Sequence, residues 1–495
     1  LWTVFTGRYD KILHKNSGSF IICGFKGTKY FIVPFAVVPP VGFFPYFGFR
    51  KVNMEKIMIY MSRVSARGEY IFSLLLRDLM GAELVVTDHL KDYFSYQGPC
   101  LEYSTEPSGH GVFIHSCGLL DEKSLEPQSI ELFTYKECPA FFAIADDRSA
   151  FPFDLFAAAF YLVTRYEENL PFIPDRFGRF RASDSIATAG NFLNIPVVNI
   201  WTELLRHHIK SVYPAMKFHE KNFRYTSTID IDHAYAYIQR TFLRTLGGYG
   251  RSLMSGDLNK IIQRTNVLMG KSRDPYDQYD YIRDVHARFG WKPFYFILFA
   301  QHGKDDNNVT LSGKIFRQLL HDLDASGTVG IHPSLTSGKQ AEVLQSEIDG
   351  LSKIIGHKIV NSRQHFLKVS FPGTCRELIK QGITDDYSLG YASNPGFRAG
   401  IADPFPFFDL VSNRSEQLII HPVALMDVTL KDYLKTSPDE AIVLCRSFAD
   451  TIKNVNGEFV SIWHNESFDE SGRWKGWQKV YEDILSYTSD MMKNK

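Results

Sequence analysis

The sequence predicts an α/β protein whose second part is a closed β/α barrel and whose first part is a smaller mixed α/β domain. Three observations carry this. From Tyr225 onward, short runs rich in β-branched and aromatic residues alternate with longer amphipathic runs to the end of the 495-residue chain. Such alternation implies a parallel sheet, and about seven repeats favour closure over an open sheet. Nearly every strand-like run then ends in a carboxylate, an arginine or a histidine, where a barrel keeps its functional side chains. Finally, 44% hydrophobic residues suffice to bury a full core.

The composition excludes several classes. Lys+Arg and Asp+Glu balance at 55 each, so no global field points to nucleic acid or an acidic membrane surface. Cys23, Cys100, Cys117, Cys138, Cys375 and Cys445 are scattered without a CxxC pair. That argues against a thiolate zinc site or a disulfide framework, and for a reducing compartment.

Residues 1–53 are read as a non-native or disordered extension. Phe31 to Phe49 is uncharged and as long as a membrane span, but Pro34, Pro39, Pro40 and Pro45 break a helix there. At Met54 the texture changes to an ordinary strand. With Met54 as the start, no export signal remains and a cytoplasmic protein is expected.

Residues 54–220 form the expected N-terminal α/β domain. A helix over 69–80 stops at Gly81, and strands follow near 84–87 and 112–116. A buried helix runs over 153–168, where Arg165, Glu167 and Glu168 read as a charged end packing on Asp175 or Arg179. A last helix covers 201–212. The barrel is expected over 221–495. Its strands are 225–231, 293–300, 327–331, 358–363, 384–391, 416–420 and 458–463, with helices 277–289, 311–325, 338–355, 374–381, 437–454 and 475–491 between them.

The site is read from the strand ends. Asp230 and Asp232 stand two apart on one strand, so both point the same way, roughly 6–7 Å apart. Like charges this close invite a cation. Other strand ends bring His332, Arg363 with His365, Asp386, His421 and His464. One histidine at a strand end is ordinary structure. Six polar ends delivered to one face form a set, and Asp with two His suits zinc or a similar divalent ion with open positions.

These residues resemble the polysaccharide deacetylase family, a carbohydrate esterase family with nodulation-protein homology, over 225–470. The likeness implies a distorted (β/α)7 barrel. Asp230 and Asp232 resemble the family's base and metal-binding Asp, here separated by Ile231. Gly330-Ile331-His332-Pro333-Ser334-Leu335-Thr336 keeps the first His of the second motif, with Thr336 where the second should be; His365 is inferred to replace it. Arg363, Asp386 and His464 match the family's remaining positions. A closer resemblance, over 54–470, is to a bacterial subgroup sharing Arg363-Gln364-His365, Gly396-Phe397-Arg398, Trp463-His464-Asn465 and an upstream Arg165-Tyr166-Glu167-Glu168.

The resemblance implies a metal-dependent deacetylase of an N- or O-acetylated sugar or polysaccharide precursor. Asp232, His332 and His365 would hold a divalent metal, zinc by preference, with His233 as fallback. Asp230 is the implied base, His464 the acid, and Arg363, held by Asp386, tunes Asp230. Arg398 and Trp463 are candidate substrate contacts, with packing as the competing role. A glycan-binding pseudoenzyme is the alternative, because the second motif is incomplete. A two-carboxylate glycosidase is disfavoured, since Asp230 and Asp232 share a strand and cannot flank a sugar.

Overall fold

The computed structural model describes residues 12–15, 18–21, 56–300, 306 and 308–493. The chain divides into two units, Leu1–Asn53 and Met54–Lys495. In the first, Ile12–Lys15 and Gly18–Ile21 pair antiparallel. The stretch 31–49 lies outside the described residues. Among the described residues, no helix is long and apolar enough to cross a membrane.

Among the described residues, the second unit holds two main sheets and a two-stranded antiparallel pair, Phe133–Tyr135 with Cys138–Ala140. The smaller is built from β1 (Lys56–Met61), β2 (Glu83–Thr87), β3 (Cys100–Ser104) and β4 (Val112–His115), all parallel in the order β2-β1-β3-β4. The expected helix runs over 66–79, its second half in wider turns. The expected helix 153–168 is interrupted: Leu155–Val163 ends where Arg165 takes a left-handed φ of 52° and a new turn, Tyr166–Asn169, starts.

The larger sheet has nine strands: β5 (Arg224–Ile231), β6 (Phe294–Ile297), β7 (Thr328–Ile331), β8 (Asn361–Ser362), β9 (Asp385–Leu389), β10 (Phe405–Asp409), β11 (Arg414–Pro422), β12 (Leu425–Met426) and β13 (Glu458–His464). The order is β10-β11-β9-β8-β7-β6-β5-β13-β12, parallel except for β10 against β11. The sheet curls until its ends meet at one segment. The Val423 N–H donates to Leu389 on β9 at 2.9 Å, and the next amide, Ala424, donates to Val460 on β13 at 3.1 Å.

Period-2 alternation sorts the strand residues. On β13, Val460 and Ile462 join Phe296, Tyr387, Leu367, Val423 and Met426 in an inner apolar cluster. Phe459 and Trp463 belong to the main core between strands and helices. On β5, Ile229 and Ile231 enter that same core, which leaves Asp230 and Asp232 on the other face. The main core is shared: Ile57 and Phe72 of the upstream part belong to it together with Ile229 and Trp477.

Sequence reading missed β3, β10, β12 and two helices, Phe242–Met254 and Leu258–Leu268, between β5 and β6. These helices bury little; Phe242, Leu243, Leu253 and Met254 are exposed.

Candidate metal centre

Each site residue follows from where its strand ends. Asp230 is the penultimate residue of β5, and Asp232 lies just past it. His332 follows β7, Arg363 and His365 follow β8, and His464 closes β13.

The structure brings Asp232, His332 and His365 together: one ligand atom from each lies within 4.8 Å of the other two. His332 Nε2 is 3.1 Å from Asp232 Oδ1, and His365 Nε2 is 3.5 Å from Asp232 Oδ2. The other nitrogen of each ring is pinned. His332 Nδ1 donates to the Arg363 carbonyl at 2.5 Å, and His365 Nδ1 donates to Asp306 Oδ1 at 2.9 Å. That holds both rings with Nε2 facing Asp232. Asp232 Oδ1 is nevertheless buried without a hydrogen-bond partner. A buried carboxylate oxygen that faces a ring nitrogen at 3.1 Å without a hydrogen bond is poorly satisfied as a pair. It is well arranged as one edge of a ligand tetrahedron, where bonds of about 2.0–2.1 Å put ligand atoms roughly 3.3 Å apart. The residues therefore fit a divalent ion of the zinc type. His233 lies outside this set; its ring contacts Tyr276.

Charge follows the same geometry. Burial opposes ionisation of Asp232, yet His365 and His332 hold its carboxyl well below the usual range. Burial likewise opposes a charged His365, but Asp232 and Asp306 lift it to about 9.

Two further pairs flank the cluster. Arg363 Nη1 donates to Asp230 Oδ1 at 3.1 Å, with both groups buried. His464 Nδ1 pairs with Asp427 Oδ1 at 2.9 Å, and the His464 N–H donates to Asp427 Oδ2 at 2.8 Å. Burial opposes charge on His464, but Asp427 keeps its imidazole protonated well above the ordinary range. His464 Nε2 reaches to 3.8 Å from Asp232 Oδ2. A cavity of about 180 Å³ opens over Asp230, Asp232, His332, His365 and His464.

Three expectations need correction. Asp386 attracts Arg363 electrostatically but does not hold it by a hydrogen bond: its oxygens accept from the Ser388 N–H at 3.0 Å and Oγ at 2.8 Å, while Arg363 Nε donates to the Tyr387 carbonyl at 3.0 Å. Arg398 is not free for substrate. It is buried, and its Nε and Nη2 grip Glu168 at 2.8 and 2.5 Å. Trp463 lies on the outer face of β13, fully buried, packed against Tyr481 at 4.9 Å. Strand parity decides this one: the residue beside an inward His464 must point out.

Glu168 also accepts from Arg165 Nε at 2.8 Å, so the charged helix end packs on Arg398 rather than on Asp175 or Arg179. Burial opposes ionisation of Glu168, but Arg398 and Arg165 overcome it and hold its pKa down. The Gly-Phe-Arg and Arg-Tyr-Glu-Glu stretches are thus each other's partners. Gly396 (φ 138°) makes the approach possible: a Cβ there would sit 2.5 Å from the Leu193 carbonyl oxygen.

Sequence reading missed Asp306, Asp427 and Glu466. Asp306 had a signal, because it follows β6, the one strand to which no polar end was given. Its carboxylate also takes the Leu335 N–H at 3.0 and 3.1 Å. So the loop that carries Thr336 buttresses the group that orients His365. Asp427 follows β12, a two-residue strand too short for its pattern to be read.

Comparisons with known proteins add the following. A family of unknown function (DUF7033) matches residues 57–214, the part that holds the smaller sheet. No curated protein sequence matches. Among solved structures, the chain is similar to a Mycobacterium smegmatis protein assigned as a polysaccharide deacetylase, at 14% identity and TM-score 0.36, over 54% of this chain and 85% of that one. It is similar to an allantoinase at 10% identity and TM-score 0.34, over 55% and 85%. A polysaccharide deacetylase from Bacillus cereus follows at 13% identity and TM-score 0.25, over 43% and 80%. Likenesses this weak carry no argument about activity; the side chains do.

Proposed function

We propose that the chain is a metal-dependent hydrolase that removes acetyl groups from an N- or O-acetylated sugar, on a distorted (β/α)7 barrel. The observation that carries this is the open Asp232–His332–His365 cluster, flanked on one side by a carboxylate held by Arg363 and on the other by an imidazole held by Asp427. That is a ligand set with a base and an acid beside it.

Asp232, His332 and His365 would hold a divalent ion, for which zinc suits the donors. Such an ion, when bound, polarises an acyl carbonyl and makes water a better nucleophile. Asp230 is placed to take the proton of the attacking water. Arg363 fixes its orientation through that hydrogen bond. His464, protonated through Asp427, is placed to give its proton to the sugar nitrogen or oxygen as the acyl bond breaks. Acetate leaves, and the proton held by Asp230 is free to restore His464. Met426, Val428 and Leu367 line the cavity as an apolar wall, suited to the methyl of an acetyl group.

The test is metal content together with acetate release. Purified protein should bind close to one zinc per chain and release acetate from at least one acetylated sugar in a panel. A chelator should abolish release, and zinc should restore it. A folded protein that takes up no divalent metal and releases no acetate would instead be a glycan-binding pseudoenzyme or something else again.

A further inference from the structure

The cavity over the cluster is not made by the barrel alone. Arg176, Phe177 and Arg179 line it, and they come from the upstream part of the chain. Their segment is held stiffly. Asp175 Oδ1 accepts the amides of Phe177 and Arg179 at 2.8 and 2.9 Å, and its Oδ2 accepts Arg179 Nε at 2.8 Å. Arg179 Nη1 donates across to the Phe366 carbonyl at 2.8 Å. The Phe177 ring stacks on Phe366 at 4.8 Å and 13°, and Phe366 stacks on His365 at 4.1 Å. The loop tip therefore stands two rings from a proposed metal ligand.

The charges around this cavity are spoken for, with one exception. Arg179 is paired with Asp175, and Asp230 with Arg363. Asp232 faces the histidines. Burial raises the Glu466 carboxyl above its usual range, against the pull of His464 and Tyr276 beside it. Arg176 is exposed, with its guanidinium 4.6 Å over the Phe177 ring. Among the described residues, no carboxylate lies within ion-pair distance of it. Stacking occupies the face of a guanidinium and leaves its edge N–H fork open, the geometry that takes an oxyanion with two parallel hydrogen bonds.

We propose that Arg176, on its Phe177 platform, is a subsite for an oxyanion carried by the substrate, so that the enzyme acts on a phosphorylated or carboxylated acetyl sugar. The upstream part thereby gains a role: it selects the substrate that the barrel cleaves. This rests on the hydrolase reading above for its sugar, but the binding it describes is measured separately.

The zinc-loaded full chain is titrated calorimetrically with N-acetylglucosamine 6-phosphate, N-acetylmuramate and N-acetylglucosamine, and acetate release is followed in parallel. At least one anionic sugar should bind about tenfold tighter than the neutral one, as a charge-assisted pair would give. The gap should narrow with added salt. Which anionic sugar shows it tells phosphate from carboxylate. Arg176→Gln should shrink the gap to within about twofold. Arg317→Gln, the same charge change on a helix outside the cavity, should keep it. Equal binding of all three sugars, no binding of any, or a gap that survives Arg176→Gln would overturn the subsite. A gap that depends on Arg176 without acetate release leaves the subsite standing and removes the hydrolase. Acetate release without a gap does the reverse.

Discussion

Two groups of histidines and carboxylates belong to the same sheet, one at each end, and share only β13. At the C-terminal ends, His332, His365 and His464 each have one ring nitrogen pinned from behind and the other aimed at Asp232. At the N-terminal ends of β9 and β13, His421 pairs with Asp385 through Nε2 at 2.9 Å and with Glu458 through Nδ1 at 3.4 Å. Its ring stacks on Tyr387 at 4.1 Å and 10°. This lower group closes on itself: each imidazole nitrogen has its carboxylate. The upper group is left open, with a buried carboxylate oxygen that no donor satisfies. The same residue types give a structural tie in one place and a ligand set in the other. The difference lies in what remains unpaired.

The sharpest break of this contrast separates the two aspartates of β5. Asp230→Asn keeps the shape but cannot accept a proton. It should cut turnover by about 10²–10⁴-fold while zinc content stays near that of the parent. Asp232→Asn should lose the zinc. Elemental analysis alongside initial rates tells them apart. Zinc lost from Asp230→Asn and kept in Asp232→Asn would reverse the roles given to the pair.

A smaller effect is expected behind the ligands. Asp306 orients His365, so Asp306→Asn should weaken zinc binding by about 10–100-fold, as removal of such supporting carboxylates does. Competition with a chromophoric chelator measures this. Unchanged affinity would mean that His365 is positioned by packing on Phe366 alone, or that it is no ligand.

Much of this centre was legible because strand ends are readable. An apolar run followed by Asp, His or Arg places a side chain at the mouth of a parallel sheet without knowledge of its neighbours. Asp230, Asp232, His332, Arg363, His365 and His464 all came this way. The errors have physical reasons. Of the two roles open to Trp463, substrate contact and packing, the period-2 rule applied to His464 selects packing, because it turns Trp463 outward. For Arg398 the choice between substrate contact and packing stayed open, since its partner Glu168 lies far away in sequence and no local pattern joins them. Asp386 was matched by position, yet its own Ser388, two residues on, satisfies it first. Phe242–Met254 and Leu258–Leu268 left a weak signal because they bury so little. His421 sat among the strand ends with nothing in the sequence to mark it as different. Only its partners, each the first residue of a strand, reveal which end of the sheet it serves.

The least of the expected effects tests that last distinction. Burial opposes charge on His421, but Asp385 and Glu458 raise it to about 9; burial also opposes charge on Glu458, but His421 lowers it to about 2. A histidine raised above its unfolded value of about 6.5 contributes stability in full below that pH and loses it as pH climbs through about 9. A glutamate held down contributes above about 4.5 and loses it as pH falls through about 2. The tie is thus complete between roughly pH 4.5 and 6.5. His421→Gln should cost about 1–2 kcal/mol at pH 6 and much less at pH 10. It should leave zinc content untouched, because the charge it removes lies below the Tyr387 ring and not at the mouth. Urea unfolding at the two pH values, with metal analysis of the folded protein, reads both. A variant equally destabilised at pH 6 and pH 10 would show that His421 acts through packing rather than charge. A stable variant that had lost its zinc would join the two ends of the sheet into one site, and the contrast between an open and a closed histidine cluster would fail.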